Sequence, residues 1–170
     1  RSTGAERVAV GHTRDDHIET VLMHLIRGTG TRGLRGLQPH HEWQLSGNVL
    51  TVIRPLLPVS REETARYCHE HQLMPRLDTS NLSLSPLRNR IRHELLPRLQ
   101  GYNPQIREAL LRTAAIASGD IAFIDEASTR LWNEVAQWKG STIVLAKEQF
   151  LQLPTAIQRT LLRTALEKLL

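Results

Sequence analysis

The sequence predicts an α/β protein: a parallel sheet with covering helices in the first hundred residues, then a mostly α-helical remainder. Three observations carry this. Val8-Ala9-Val10 reads as a short buried strand running into a turn, Gly11 to Thr13, and then an amphipathic helix. Val49 to Ile53 is a second buried apolar run, followed by the capping box Ser60-Arg61-Glu62-Glu63 that starts another helix. Strand, helix, strand, helix at this spacing favours parallel pairing. Beyond Asn103-Pro104, apolar and small residues recur at alternating steps of four and three, the seam of one long helix.

From Asp15 to Arg27 the apolar residues Ile18, Val21, Leu22, Leu25 and Ile26 mark one helical face, with Thr13 as the cap. Gly28 stops this helix as a C′ glycine does. Gly28 to Gly33 formally matches GxGxxG, but it follows a helix instead of opening one, so a dinucleotide fingerprint is rejected. A mobile basic loop is expected there, offering Arg27, Arg32 and Arg35 to phosphates; the plainer reading is a solvated connector. The helix begun at Arg61 should end near His71. Leu77 to Asn81 is turn-rich. Ser85-Pro86 starts a further helix with Leu87, Ile91 and Leu95 on one face and Arg88 and Arg92 on another. Pro97 and Gly101 are expected to close it, so the domain break is placed at Gly101 to Pro104, dividing the chain into 1–100 and 103–170.

In the second part the seam runs through Leu110, Ala114, Ala117, Ile121, Ile124, Ser128, Leu131 and Val135. Thr142 to Leu145 suggests a short strand. Ile157, Leu161, Leu162 and Leu166 suggest a final amphipathic helix after Leu153-Pro154. Only two strands are visible in the first part, too few for a complete doubly wound sheet, so the chain is expected to start partway through a domain.

The net charge of +5 comes from 22 basic and 17 acidic residues, and 19 of the 22 are arginine. Arginine's planar fork suits phosphates and base edges better than lysine's point charge. The excess lies in the first hundred residues, 14 basic against 10 acidic. RNA is compatible with that balance, and so is an ordinary globular surface. Cys68 is the only cysteine, which excludes an intrachain disulfide or a multi-cysteine zinc site. No apolar run is long enough for a membrane span and no leader is visible, so a cytoplasmic location is the expectation.

Chemistry concentrates at the first turn. His12, Asp15, Asp16 and Glu19 fall within eight residues at the carboxyl end of a strand, where open α/β sheets bind ligands. A helix N-terminus accounts for the two aspartates, but not for His12 or for Glu19 one turn further on. Arg88 and Arg92, four apart, face the same way and flank Asn89. Like charges so placed disfavour a helix unless an anion sits on them. A solvated basic face neutralised by Glu94 is the competing reading. Two other functions remain open: a metal-dependent phosphohydrolase built on His12, Asp15, Asp16 and His17, and a non-catalytic RNA-binding module.

Gly11-His12-Thr13-Arg14-Asp15-Asp16-His17-Ile18-Glu19-Thr20, followed by Arg27-Gly28-Thr29-Gly30-Thr31-Arg32-Gly33-Leu34, resembles the second signature of the tRNA(Ile)-lysidine synthetases, members of the PP-loop ATP pyrophosphatases. Asp78-x-Ser80-Asn81, the Arg88-Asn89-x-Ile91-Arg92-His93 helix and Leu153-Pro154 to Arg163 are similar to later parts of that family, in the same order. The resemblance implies the C-terminal part of a Rossmann-like PP-loop domain over 1–100 and a helical tRNA-binding or substrate domain over 103–170. It implies adenylation of C2 of the wobble cytidine in isoleucine tRNA with a CAU anticodon, then attachment of L-lysine, with ATP and Mg²⁺ consumed or used.

By the same resemblance, Asp16, Glu19, Arg88 and Arg92 are the expected catalytic residues, with Asp16 and Glu19 positioning lysine or holding metal. Gly11, His12, Asp15 and Asn89 would bind nucleotide or substrate, and Arg27, Arg32 and Arg35 tRNA. A homodimer is left open. The family's Ser-Gly-Gly-x-Asp-Ser phosphate loop has no counterpart in residues 1–170, so the chain is expected to be an incomplete catalyst.

Overall fold

The structure, a computed structural model, describes residues 5, 7–45, 48–76 and 85–169. Asp78, Ser80 and Asn81 lie outside them. The described elements in the first part are β1 (Arg7–Ala9), α1 (Arg14–Ile26), α2 (Thr31–Leu34), β2 (His40–Leu45), β3 (Asn48–Ile53), α3 (Arg61–Glu70) and α4 (Leu87–Arg90). A π turn (Ile91–Leu95) leads into α5 (Leu96–Tyr102), and the long α6 (Ile106–Val135) follows. Next come β4 (Ala136–Lys139), β5 (Thr142–Leu145), α7 (Lys147–Gln152) and α8 (Thr155–Leu169).

The two expected strands pair in parallel as β1 and β3, with Arg7 opposite Thr51 and Ala9 opposite Ile53. A third strand, β2, was not anticipated. It forms a hairpin with β3, giving the order β1-β3-β2. Its residues His40-His41-Glu42-Trp43 are exposed and show no apolar alternation, so backbone pairing to β3 holds it where side-chain patterning gives no signal. The sheet is also less covered than its composition suggests. Val8 is 40% exposed and Val49 51%; only Val52 on β3 is buried among the described sheet residues.

The first core forms instead between helices. Ile18 and Leu22 of α1 pack on Ile91 and Leu96, with Leu110 and Leu111 of α6 against them. Each such side chain taken out of water contributes about 1.5–3 kcal/mol. The helix carrying Arg88 does not close at Pro97. It continues to Tyr102 because the π turn absorbs the proline. Proline lacks an N–H and crowds the carbonyl four residues back. Just ahead of it the Leu96 N–H bonds five residues back, to Ile91 O, which widens the turn.

Two compact units result, Arg1–Ala117 and Ser118–Leu170. The division therefore falls within α6 and not at Gly101 to Pro104, since the first turns of α6 belong to the first core. In the second unit Val135, Ile157 and Leu161 make the core, flanked by Ile124, Leu131 and Trp132. Ala114, Ala117, Ile121, Ser128 and Val135 of the expected seam are buried. Leu162 and Leu166 depart from expectation, at 46% and 61% exposure; Thr160 and Ala165 take the inward positions on α8.

Candidate active site

Parallel pairing brings the carboxyl ends of β1 and β3 side by side. The Val10 N–H donates to Ile53 O at 3.0 Å, so Gly11-His12 and Arg54 leave the sheet as neighbours. Arg54 Nε then donates to His12 Nδ1 at 3.2 Å. Gly11 is exposed, and a Cβ there would meet nothing within 4 Å, so the backbone stands open at the strand end.

Thr13 caps α1 through Asp16, whose Oδ2 accepts from the Thr13 N–H at 2.8 Å and its hydroxyl at 2.9 Å. Burial alone would raise the Asp16 carboxyl. The Thr13 hydrogen bonds and the Arg61 and Arg88 charges outweigh it and hold the group below the ordinary carboxylate range. One turn on, Glu19 is 1% exposed. Arg92 grips it bidentately, Nε to Oε1 at 2.7 Å and an Nη to Oε2 at 2.9 Å. Glu19 in turn keeps the Arg92 guanidinium charged more firmly than usual, through that hydrogen bond. Arg61 lies 3.6 Å and Arg88 3.8 Å from the same carboxylate. Arg61 also reaches Asp16 at 3.5 Å, and Arg88 donates to the Thr20 hydroxyl at 3.1 Å.

The four residues expected to be catalytic therefore meet in one cluster. They meet as paired charges, however: both carboxylates are held by arginines. Among the described residues no group of three or more His, Cys, Asp or Glu is placed to hold a metal. Arginines engage the oxygens of both Asp16 and Glu19 in this arrangement. Asp15 faces elsewhere. Its Oδ1 accepts from Arg107 at 2.7 Å and its Oδ2 from the Arg61 N–H at 2.8 Å, tying the N-termini of α1, α3 and α6. A polar cleft of about 470 Å³ lies beside it, lined by Arg14, Ser60, Glu62, Arg107 and Glu108. Asn89 is buried at 6% exposure on the helix that carries Arg88.

Arg27, Arg32 and Arg35 are not part of this cluster. Arg27 caps the far end of α1, and Arg32 and Arg35 belong to α2 and its cap. Within the stretch expected to be a mobile loop, Thr31–Leu34 form one turn of helix, and glycines and histidines brace it. Gly28 adopts φ +76°, and His24 Nδ1 lies 2.7 Å from Gly33 O. His17 Nδ1 accepts from the Leu37 N–H at 3.1 Å, and burial lowers the His17 pKa, so neither His17 nor His12 presents a free Nδ1 to a metal loop.

Arg61 and Arg107 escaped the sequence reading. Arg61 carried a usable signal, since it opens the helix after the second strand, at the carboxyl end where ligand sites form. Arg107 carried none; its contact with Asp15 joins positions 92 apart.

An α/β unit with a dense charged cluster beyond two parallel strands is a nucleotide-binding architecture in outline, and residues 1–99 match the PP-loop domain family. The chain belongs to that family. It is similar to the tRNA(Ile)-lysidine synthase of Dehalococcoides mccartyi, 48% identical over 168 residues, 98% of this chain and 36% of that protein. The tRNA(Ile)-lysidine synthases of Nostoc sp. and Gloeobacter violaceus are 36% and 38% identical, covering 96% of this chain each and 51% and 48% of their own lengths. The chain thus spans between about a third and a half of the curated relatives it matches.

Proposed function

We propose that the protein carrying this chain is a tRNA-modifying ligase that joins L-lysine to C2 of the wobble cytidine of isoleucine tRNA with a CAU anticodon, at the expense of ATP. In this reading cytidine O2 attacks the α-phosphorus of ATP and pyrophosphate leaves. The lysine amine then attacks C2, AMP departs with O2, and the amine proton passes to a carboxylate or to water. The observation that carries the reading is the convergence of Asp16, Glu19, Arg88 and Arg92 beside the open ends of β1 and β3. The similarity to lysidine synthases over nearly the whole chain supports it.

Arg88 and Arg61, the more exposed cations of the cluster, are suited to offset charge on the reacting phosphate. Glu19 holds Arg92 in place, and Asp16, at 15% exposure, is the carboxylate better placed to meet an ammonium group. Gly11 and His12 are read as lining the approach of the nucleotide, with the buried Asn89 assisting from the Arg88 helix, and Arg27, Arg32 and Arg35 as contacts for the tRNA backbone. The first compact unit is read as the second half of the nucleotide-binding domain and the second as a helical substrate domain, in a cytoplasmic enzyme.

The test is incorporation of labelled lysine by the full-length protein into unmodified isoleucine tRNA. AMP and pyrophosphate release dependent on both lysine and that tRNA is the expected result. Metal-dependent phosphate release from simple esters, with no requirement for lysine or tRNA, would overturn the reading in favour of a hydrolase. Binding of tRNA without any ATP turnover would favour the RNA-binding module.

A further inference from the structure

We infer that Arg54 is a positioning residue that fixes His12 as the neutral tautomer with its proton on Nε2, aimed as a hydrogen-bond donor; its catalytic relevance rests on the reading of His12 as a nucleotide contact. A guanidinium is always charged and only donates. The Arg54 Nε–H directed at His12 Nδ1 at 3.2 Å therefore requires a lone pair on Nδ1. The ring's one proton then sits on Nε2, because the hydrogen bond made by one ring nitrogen sets the state of the other. A doubly protonated ring would turn an N–H onto the guanidinium and lose the contact.

Arg54 is itself held on two further sides. One Nη donates to Gln38 O at 2.8 Å, and its own backbone N–H donates to Pro39 O at 2.8 Å. The segment supplying those carbonyls is tied to α1 by the Leu37 N–H bond to His17 Nδ1 at 3.1 Å. Gly36 makes the approach possible. At φ +61°, a Cβ there would lie 2.9 Å from both His17 Cε1 and Val21 Cγ2. Among the described residues Arg54 is the one hydrogen-bond partner of His12, and none of them engages Nε2. A fixed N–H at the carboxyl end of a parallel strand is a preorganised donor for charge developing on a phosphate oxygen, with no proton changing hands.

Two measurements on the full-length protein separate this inference from the functional reading beneath it. In ¹⁵N-histidine-labelled protein, with His12 assigned by its loss in His12→Gln, the expected signature is a protonated Nε2 and a bare Nδ1. Arg54→Met should convert it to a tautomer mixture. A protonated Nδ1 in the wild type overturns the inference even if the Arg54 variant fails to fold, and so does an unchanged signature in a folded Arg54→Met protein.

The rate arm uses amide mimics. The glutamine nitrogen of His12→Gln falls near the Nε2 position, whereas that of His12→Asn falls near Nδ1. His12→Asn should lower kcat by about 100-fold, the scale of losing one preorganised donor, and His12→Gln by about tenfold or less. The reverse order would overturn the donor role. If the spectra are as stated and both variants turn over normally, the placement of His12 at the nucleotide fails while the tautomer assignment stands.

Discussion

Replacing Glu19 with glutamine preserves shape and removes one charge from the most buried ionisable position of the cluster. Glu19 is 1% exposed and accepts two charge-assisted hydrogen bonds from Arg92, with Arg61 and Arg88 within 4 Å. Glutamine keeps one acceptor for Arg92 but turns an NH₂ toward its second N–H. Arg61 and Arg92 then share Asp16 as an ionised partner, and Arg88 keeps the Thr20 hydroxyl. Removing one member of a buried ion pair costs about 3–5 kcal/mol. The arginines are 18%, 34% and 43% exposed, so water relieves part of that, and a loss of roughly 3 kcal/mol is expected. For a protein of this size that is a fall in Tm of about 6–12 °C.

Asp16→Asn removes the same charge at a half-buried site and retains one acceptor for the Thr13 cap, so its loss should be that of a weakened cap, about 1 kcal/mol. Thermal and urea unfolding of the two variants beside the wild type make the comparison. If Glu19→Gln melts within a degree of the wild type, or Asp16→Asn is the less stable of the two, Glu19 is not the centre of the cluster.

Arg92→Ala should be strongly destabilising, by roughly 3 kcal/mol, because it strands Glu19, whereas Arg88→Ala, losing a bond to Thr20, should cost about 1 kcal/mol. Equal urea midpoints for the two would contradict the geometry. Burial lowers the His17 pKa below 6.5, so its stabilising contribution is complete above about pH 6.5 and is lost as pH falls through the folded-state value. His17→Asn keeps an acceptor for the Leu37 N–H without titrating. Its Tm should therefore fall less than that of the wild type between pH 7 and pH 5, and parallel declines would refute the assignment.

Elements with one apolar face were legible in the sequence. The spacing of Ile18 and Leu22, the Ser60–Glu63 box and the seam from Ala114 to Val135 each followed from a period or a cap that needs no distant partner. β2 was not legible, because an exposed hairpin strand is held by backbone hydrogen bonds that leave no mark on side-chain order. The cluster was half legible. Asp16 and Glu19 are one turn apart, and so are Arg88 and Arg92, so each pair was visible as a local face. Nothing in the sequence said that the two faces would neutralise each other across 73 positions. Arg107 left no local mark: its partner is set by how the start of α6 docks on α1, which no window of sequence contains.

The widened turn at Ile91–Leu95 has a consequence for how this helix tolerates change in length. A π turn is geometrically one residue more than the α-helix around it, so deleting one residue there would yield a smoother helix with better local hydrogen bonding. Regularising the turn with every residue kept would instead rotate everything beyond it by about 100° relative to everything before it. Arg88 and Asn89 would keep their bearing while Leu96 and Leu99 swung off the core, or the core would hold and the arginine would swing off Glu19. The irregularity acts as a phase correction between two surfaces of one rod, the charged one and the apolar one. A helix perfected in this segment at its full length would serve one of them and abandon the other.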